Sequence, residues 1–214
     1  MLLDGDMVSK NISKLDREER PLFGDAGTAT ALEYDPDAAP MHFNVMTKSD
    51  EGKALILPNG GYRNPWTMEM LKTDLDRREG RISVEEIGHN MDSMGVFSFT
   101  ISIVPKSIKQ FCEHFNISFD DVDELVLHQA NKFIIQKIAK KLKVDMAKVP
   151  VGLKNYGNTT SASIPMAILS ECADKYAAGH IKTVASGFGT GLSCATVYFE
   201  TNGIVCPQIM TYTL

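Results

Sequence analysis

The chain has 214 residues, 43% of them hydrophobic and 23% charged, with a formal net charge of −5. That length and balance suit a globular protein with a sizeable core, arranged as one large domain or two small ones. They argue against general nucleic-acid binding, and no run approaches the ~18 to 20 apolar residues of a membrane span.

Met1-Leu2-Leu3-Asp4-Gly5-Asp6 has no basic segment and too short an apolar stretch for a signal peptide. It reads as a lone short strand for which the sequence offers no sheet neighbour, as expected of a truncated or partly recorded chain. Pro21 to Gly27 leads into a small-residue strand, Thr28–Tyr34, ended by Asp35-Pro36-Asp37. Residues 35–80 are rich in Gly, Pro, Asn and charge and read as an irregular excursion with short strands such as Ala54–Leu57.

Across residues 94–115, Phe97, Ile101, Val104, Ile108, Phe111 and Phe115 recur at helical spacing. Pro105 inside the pattern predicts a kink or a break between two helices. Glu124–Leu127 reads as a short buried strand ending at His128, and Gln129–Leu142 as a helix. On that helix Ile134, Ile135, Ile138, Ala139 and Leu142 share one face, while Lys132, Lys137, Lys140 and Lys143 fall on the other, with Phe133 among them. A helix is predicted from about Ala162 to Ala178, with Ser161 as N-cap, Pro165 in the first turn and Gly179 closing it. Lys182–Ser186 and Leu192–Phe199 are two strands joined by Gly187-Phe188-Gly189-Thr190-Gly191, and the last fourteen or so residues form a tail. The order is that of an α/β protein.

Residues 125–154 hold seven lysines (Lys132, Lys137, Lys140, Lys141, Lys143, Lys148 and Lys154) against the single acid Asp145. This basic island on an acidic chain reads either as a docking face for an acidic partner or phosphate group, or as a solvated helix face. The four cysteines, Cys112, Cys172, Cys194 and Cys206, lie far apart without a CxxC pair. They suggest neither a zinc site nor a disulfide framework, and a reduced, cytosolic protein is expected.

Reactive groups fall in loops at strand ends, where open α/β sheets build their sites. His128 ends a buried strand, Asn158 lies in a Gly- and Thr-rich turn, and Gly189 and Gly191 offer backbone N–H groups in a tight hairpin. A histidine and an asparagine converging on one point can donate two hydrogen bonds to a carbonyl oxygen that is gaining negative charge.

Three stretches hold together in order and spacing: Leu127-His128-Gln129-Ala130-Asn131, Asn155-Tyr156-Gly157-Asn158-Thr159-Thr160-Ser161-Ala162-Ser163-Ile164-Pro165, and Ser186-Gly187-Phe188-Gly189-Thr190-Gly191-Leu192-Ser193. With Asp16-Arg17 and Leu22-Phe23-Gly24-Asp25-Ala26-Gly27, they resemble the C-terminal half of the β-ketoacyl-[acyl-carrier-protein] synthase III family. The resemblance implies a thiolase-like, layered α-β-α-β-α fold. Residues 1–40 would end its N-terminal half, residues 41–200 form the C-terminal half and residues 201–214 a tail.

The resemblance also implies a Cys-His-Asn triad with His128 and Asn158 as its last two members. Gly191 would give a backbone N–H to the oxyanion hole, and Arg17, Phe97 and Gly189 would contact substrate or CoA. The implied reaction is a decarboxylative Claisen condensation of an acyl-CoA with malonyl carried on acyl carrier protein, without metal or other cofactor. Acyl carrier protein would dock on Lys132, Phe133, Lys137, Lys140 and Lys141, and the family forms homodimers.

Ser98 and Phe133 stand where the family often has basic residues, whereas Lys140 and Lys141 match basic positions. The family's nucleophilic cysteine falls before residue 1, and Cys194 is the one cysteine near the predicted site. Two other readings remain: a specialised type III synthase of the quinolone or polyketide kind, and a non-catalytic subunit paired with a cysteine-bearing chain.

Overall fold

The computed structural model describes residues 1–10, 12, 19–70 and 90–212. Its centre is a four-stranded sheet in the order β3-β8-β7-β6, built from β3 (His42–Thr47), β6 (Glu124–Leu127), β7 (His180–Gly189) and β8 (Ser193–Asn202). β6 runs parallel to β7, and the other two pairings are antiparallel. Every residue of β6 is buried because helices cover the sheet on both sides there.

The alternation along the strands assigns the two faces. Leu125, Leu127, Val184 and Cys194 point to α1 (Ser93–His114) and α2 (Lys132–Leu142), forming the main core with Val104, Ile108, Phe111, Ile135 and Ile138. Val126 and Ala185 point the other way, to Ala167, Ile164 and Ile168 of α4 (Ser163–Glu171), which follows the one-turn α3 (Leu153–Tyr156). The lysine-bearing helix obeys the sequence pattern: Ile134, Ile135, Ile138, Ala139 and Leu142 are all buried. It begins later than expected because the Asn131 side chain accepts the Ile134 N–H at 2.8 Å and caps it there.

Several expectations are corrected. α1 runs through Pro105 as one helix of 22 residues, with Pro105 buried in its interior, so the predicted break is absent. The helix expected over 162–178 is two, α4 and α5 (Ala173–Ala178), parted at Cys172 with φ −130° and ψ 4°. Ser161 is not its cap: Thr160–Ala162 form a tight 3-10 turn without a side-chain cap. The break sets Tyr176 of α5 against Thr183 of β7, hydroxyl to hydroxyl at 2.6 Å, and brings Lys175 onto the buried Glu124 carboxylate at the start of β6.

Neither is Met1–Asp6 without a neighbour: β1 (Leu2–Asp6) pairs antiparallel with β2 (Ala26–Thr30), a strand that ends four residues before the expected Tyr34. The strand expected over Ala54–Leu57 shortens to β4 (Leu55–Ile56), paired with β5 (Asn90–Met91).

β3 lies within the stretch read as irregular. Its inward side chains are the half-buried His42, Asn44 and Met46; His42 stacks on Phe115 at 4.3 Å. The apolar pair points outward, with Phe43 62% and Val45 74% exposed. Through Phe43↔Val197 and Val45↔Ala195 this pair continues the face on which α4 lies, beyond the reach of α4 itself.

Two glycines lock the early part of the chain onto the sheet domain. A Cβ added at Gly24 would stand 1.9 Å from the Tyr156 carbonyl oxygen, and one at Gly157, where φ is +66°, would stand 2.9 Å from the Leu22 carbonyl oxygen. The two backbones approach so closely that no side chain fits between them. Gly24→Ala is therefore expected to destabilise the chain by about 1–3 kcal/mol, the usual range for overpacking. Gly179→Ala, where a Cβ meets nothing within 4 Å, serves as the control. Thermal unfolding of both variants checks this, and equal midpoints would refute the lock.

Candidate active site

His128 follows β6 directly, and its backbone N–H donates to the Ser186 carbonyl at 2.9 Å, extending the pairing with β7 into the histidine. Its Nδ1 lies 2.6 Å from the Ser163 hydroxyl at the start of α4. The Phe188 ring of β7 meets the imidazole edge to face, with centroids 5.2 Å apart at 89°. Gln129 fixes the next residue: its Nε2 donates to the Leu127 carbonyl at 2.6 Å and its Oε1 accepts the Gly152 N–H at 3.0 Å. Burial pushes the His128 pKa down to about 4, outweighing a hydrogen bond to the Thr160 backbone that acts in the opposite sense. The ring is neutral at physiological pH.

Asn158 is held by its backbone. Its N–H donates to the Leu22 carbonyl at 2.8 Å, and its carbonyl accepts the Gly24 N–H at 2.9 Å, a parallel bridge centred on Phe23. Its side-chain Oδ1 accepts the Thr160 N–H at 3.0 Å. An N–H group can face only the oxygen of the carboxamide, so the orientation is settled and the NH₂ points away. Among the described residues that NH₂ donates to no protein group, although Asn158 is only 8% exposed. Thr160, with φ at +49°, thus contacts both His128 and Asn158 through its backbone.

Gly189 ends β7 opposite Ser193, and Gly191 lies in the following turn with φ at +125°. The contact that reaches the His128 ring from this strand is made by Phe188, between the two glycines Gly187 and Gly189.

On α2, Lys132, Phe133, Lys137, Lys140 and Lys141 are all exposed, Phe133 by 53%. Phe133 stacks on Phe97 of α1 with ring centres 5.9 Å apart, and the Lys137 ammonium stands 4.9 Å from the Phe133 ring centre. Lys148 is no part of such a face: its ammonium donates to the carbonyls of Phe119, Asp120 and Val122 at 2.7–3.1 Å and ties down the loop before β6. Arg17 lies outside the described residues. Among the described residues no group of three or more His, Cys, Asp or Glu side chains is placed to hold a metal ion.

Residues 112–201 match the sequence family described as 3-Oxoacyl-[acyl-carrier-protein (ACP)] synthase III C terminal. The chain is 32% identical over 200 residues to the beta-ketoacyl-[acyl-carrier-protein] synthase III of Streptococcus pneumoniae (strain Hungary19A-6), covering 92% of this chain and 57% of that protein. Its fold superposes on the crystal structure of 3-oxoacyl-(acyl-carrier protein) synthase from Burkholderia xenovorans LB400 with a TM-score of 0.80 and 31% identity, over 98% of this chain and 58% of the other. The Thermus thermophilus synthase III structure, 23% identical with a TM-score of 0.76 over 94% and 59% of the two chains, supports the fold alone. Over 92% of its length the chain is similar to β-ketoacyl-[acyl-carrier-protein] synthase III, and its residues 112–201 match the family's C-terminal part.

It has the thiolase-like α/β fold of that family and spans 57% of the length of the Streptococcus pneumoniae synthase III. None of the four cysteines is an activated thiol. Burial pushes Cys194 up, more than its hydrogen bond with Ser107 lowers it, and pushes Cys112 to about 11 and Cys172 to about 12. Cys206 is raised by burial as well. A reactive thiolate needs the opposite shift.

Sequence reasoning did not single out Ser163, Thr160 or Phe188. All three stood within the matched stretches, but their contacts with His128 depend on how two distant loops close over it.

An unfolded histidine titrates near 6.5, whereas folded His128 titrates near 4. Between those values the unfolded chain binds more protons, so the contribution of His128 to stability is full above 6.5 and falls as pH drops towards 4. His128→Asn removes this dependence. The stability difference between wild type and variant should shrink as pH falls from 6.5 to 4 in thermal unfolding; a constant difference would place the pKa elsewhere.

Proposed function

We propose that this chain supplies the paired N–H donors of a β-ketoacyl-[acyl-carrier-protein] synthase III. His128 and Asn158 would bind the thioester oxygen of malonyl carried on acyl carrier protein. Loss of carbon dioxide leaves the electron pair of the broken C–C bond in an enolate, whose oxygen these donors stabilise. The enolate carbon then attacks an acyl group held as a thioester on a cysteine, a C–C bond forms, and the cysteine leaves as thiolate. The Gly191 N–H would stabilise the tetrahedral oxygen of that second step, and Arg17, Phe97 and Gly189 would contact the acyl-CoA or the pantetheine arm.

The observation that carries the reading is that the backbone of Thr160 holds both a neutral His128 and an Asn158 carboxamide whose oxygen is occupied and whose NH₂ donates to no protein group among the described residues. A neutral imidazole and a free NH₂ donate without placing a full positive charge next to the departing carboxylate. That choice suits a site which must stabilise an enolate rather than trap its precursor.

The acyl-bearing thiol would come from outside residues 1–214. The raised pKa values of all four cysteines support this, and so does the exposed Phe43–Val45 face beside α4, an apolar surface that a further part of a synthase III would cover. The assembled enzyme would be a homodimer acting in fatty acid biosynthesis.

The exposed lysines of α2 would dock acyl carrier protein around the Phe97–Phe133 stack. The residual charge supports this: once Lys148 is committed to three carbonyls, the exposed lysines still gather on one helix face next to an exposed aromatic ring.

By itself the chain is expected to yield no β-ketoacyl product from acetyl-CoA and malonyl-acyl carrier protein. Product that persists in Cys194→Ser would mean that another group in the chain is the nucleophile. When the chain is completed with the part of the Streptococcus pneumoniae relative that lies outside the match, condensation should appear. His128→Ala or Asn158→Ala should then lower kcat by about 10²–10³, as for loss of one oxyanion donor. Undiminished rates in both would overturn the reading.

In the same completed enzyme, charge reversal at Lys140 and Lys141 should raise the apparent KM for the carrier-bound substrate, more at low salt than at high, and leave a small malonyl thioester unaffected. Equal losses with both substrates would make α2 a structural helix with a solvated face.

A further inference from the structure

The Ser163 hydroxyl is the one described side-chain group hydrogen-bonded to the His128 ring, at Nδ1 and 2.6 Å. Ser163 is 1% exposed and opens α4, so neither its backbone nor its surroundings leave the hydroxyl much freedom. Its own backbone N–H is already committed to the Thr160 carbonyl. Phe188 fixes the imidazole from another side, through a ring contact that carries no polar group.

A neutral imidazole has one ring proton, and its place is set by the hydrogen bond at the other nitrogen. A hydroxyl can give or take a proton, and the Thr160 backbone also hydrogen-bonds the ring, so the Ser163 contact must outweigh that one in deciding what Nε2 presents. If the hydroxyl donates, Nδ1 is the acceptor and Nε2 bears the N–H. If the hydroxyl accepts, Nε2 presents a lone pair, which would repel a carbonyl oxygen gaining charge.

We propose that Ser163 is a positioning residue: it donates its hydroxyl proton to His128 Nδ1 and so holds the ring proton on Nε2, the nitrogen left to face substrate. This rests on the reading of His128 as an N–H donor to the thioester oxygen. Nδ1 is engaged inside the protein, so only Nε2 can serve that oxygen, and it can serve only as N–H. Ser163 therefore acts through His128 without touching the substrate. Ser163→Ala would leave the tautomer unset while barely changing the shape of the site.

Long-range ¹H–¹⁵N correlation spectra of the ¹⁵N-labelled chain at pH 7 read the tautomer directly. The wild-type His128 ring should give the pattern of a single Nε2–H tautomer. Ser163→Ala should lose it and give exchange-averaged ring nitrogens, and Ser163→Thr, which keeps the hydroxyl, should restore it. A wild-type ring protonated at Nδ1 overturns the proposal without any variant. So does an unchanged Nε2–H pattern in a Ser163→Ala chain whose backbone amide spectrum matches wild type. The readout is independent of turnover: an Nε2–H ring whose His128→Ala variant leaves condensation intact would sink the functional reading and spare this one.

Discussion

The two backbone hydrogen bonds that join Asn158 to Leu22 and Gly24 are the constraint on which the site depends. Asn158 could sit in a turn of many shapes, but its amide and carbonyl are both committed across a bridge to a segment some 135 residues earlier in the chain. Gly24 and Gly157 allow the bridge, because a Cβ at either would strike the opposite backbone. With the backbone fixed, Thr160 takes the carboxamide oxygen and the NH₂ has one direction left. The same residue reaches His128 through its backbone, so the imidazole and the carboxamide are both tied to one short loop. β1 lies against the Thr160–Ala162 turn and closes the loop from its far side.

The electrostatics of the site follow from burial. His128 loses its charge to desolvation, and the same effect keeps the thiols of Cys112, Cys172 and Cys194 protonated. One physical term thus leaves the His128 imidazole neutral and every described cysteine a poor nucleophile. The division of labour proposed for the complete enzyme, with donors on this chain and the thiol elsewhere, arises from that term. Outside the core, α2 keeps its charges in water around a stacked aromatic pair.

What the sequence made legible was whatever depends on local pattern. The apolar face of α2, the buried strand before His128 and the turn at Asn158 all follow from periodicity and composition, and the structure has them. β3 escaped because its apolar residues, Phe43 and Val45, face outward while His42 and Asn44 face in; a rule that sends apolar side chains to the core misreads such a strand. The break at Cys172 escaped because Tyr176 and Lys175 take partners on β7 and β6, and helix propensity carries no record of them. Lys148 counts in the basic island since charge is visible in sequence, whereas the three carbonyls that hold it are not. Ser163 and Thr160 belong to the same class: their residue types are common in turns, and only the closed loop gives them His128 as a partner.

The central claim is that His128 and Asn158 serve one and the same oxygen. Titration of the ¹⁵N-labelled chain with a malonyl-pantetheine analogue that cannot lose carbon dioxide tests it directly. The account predicts that the His128 ring nitrogens and the Asn158 side-chain NH₂ shift together along one binding curve, and that His128→Ala abolishes the Asn158 response. Shifts that follow separate curves, or an Asn158 response that persists unchanged in His128→Ala, would contradict it.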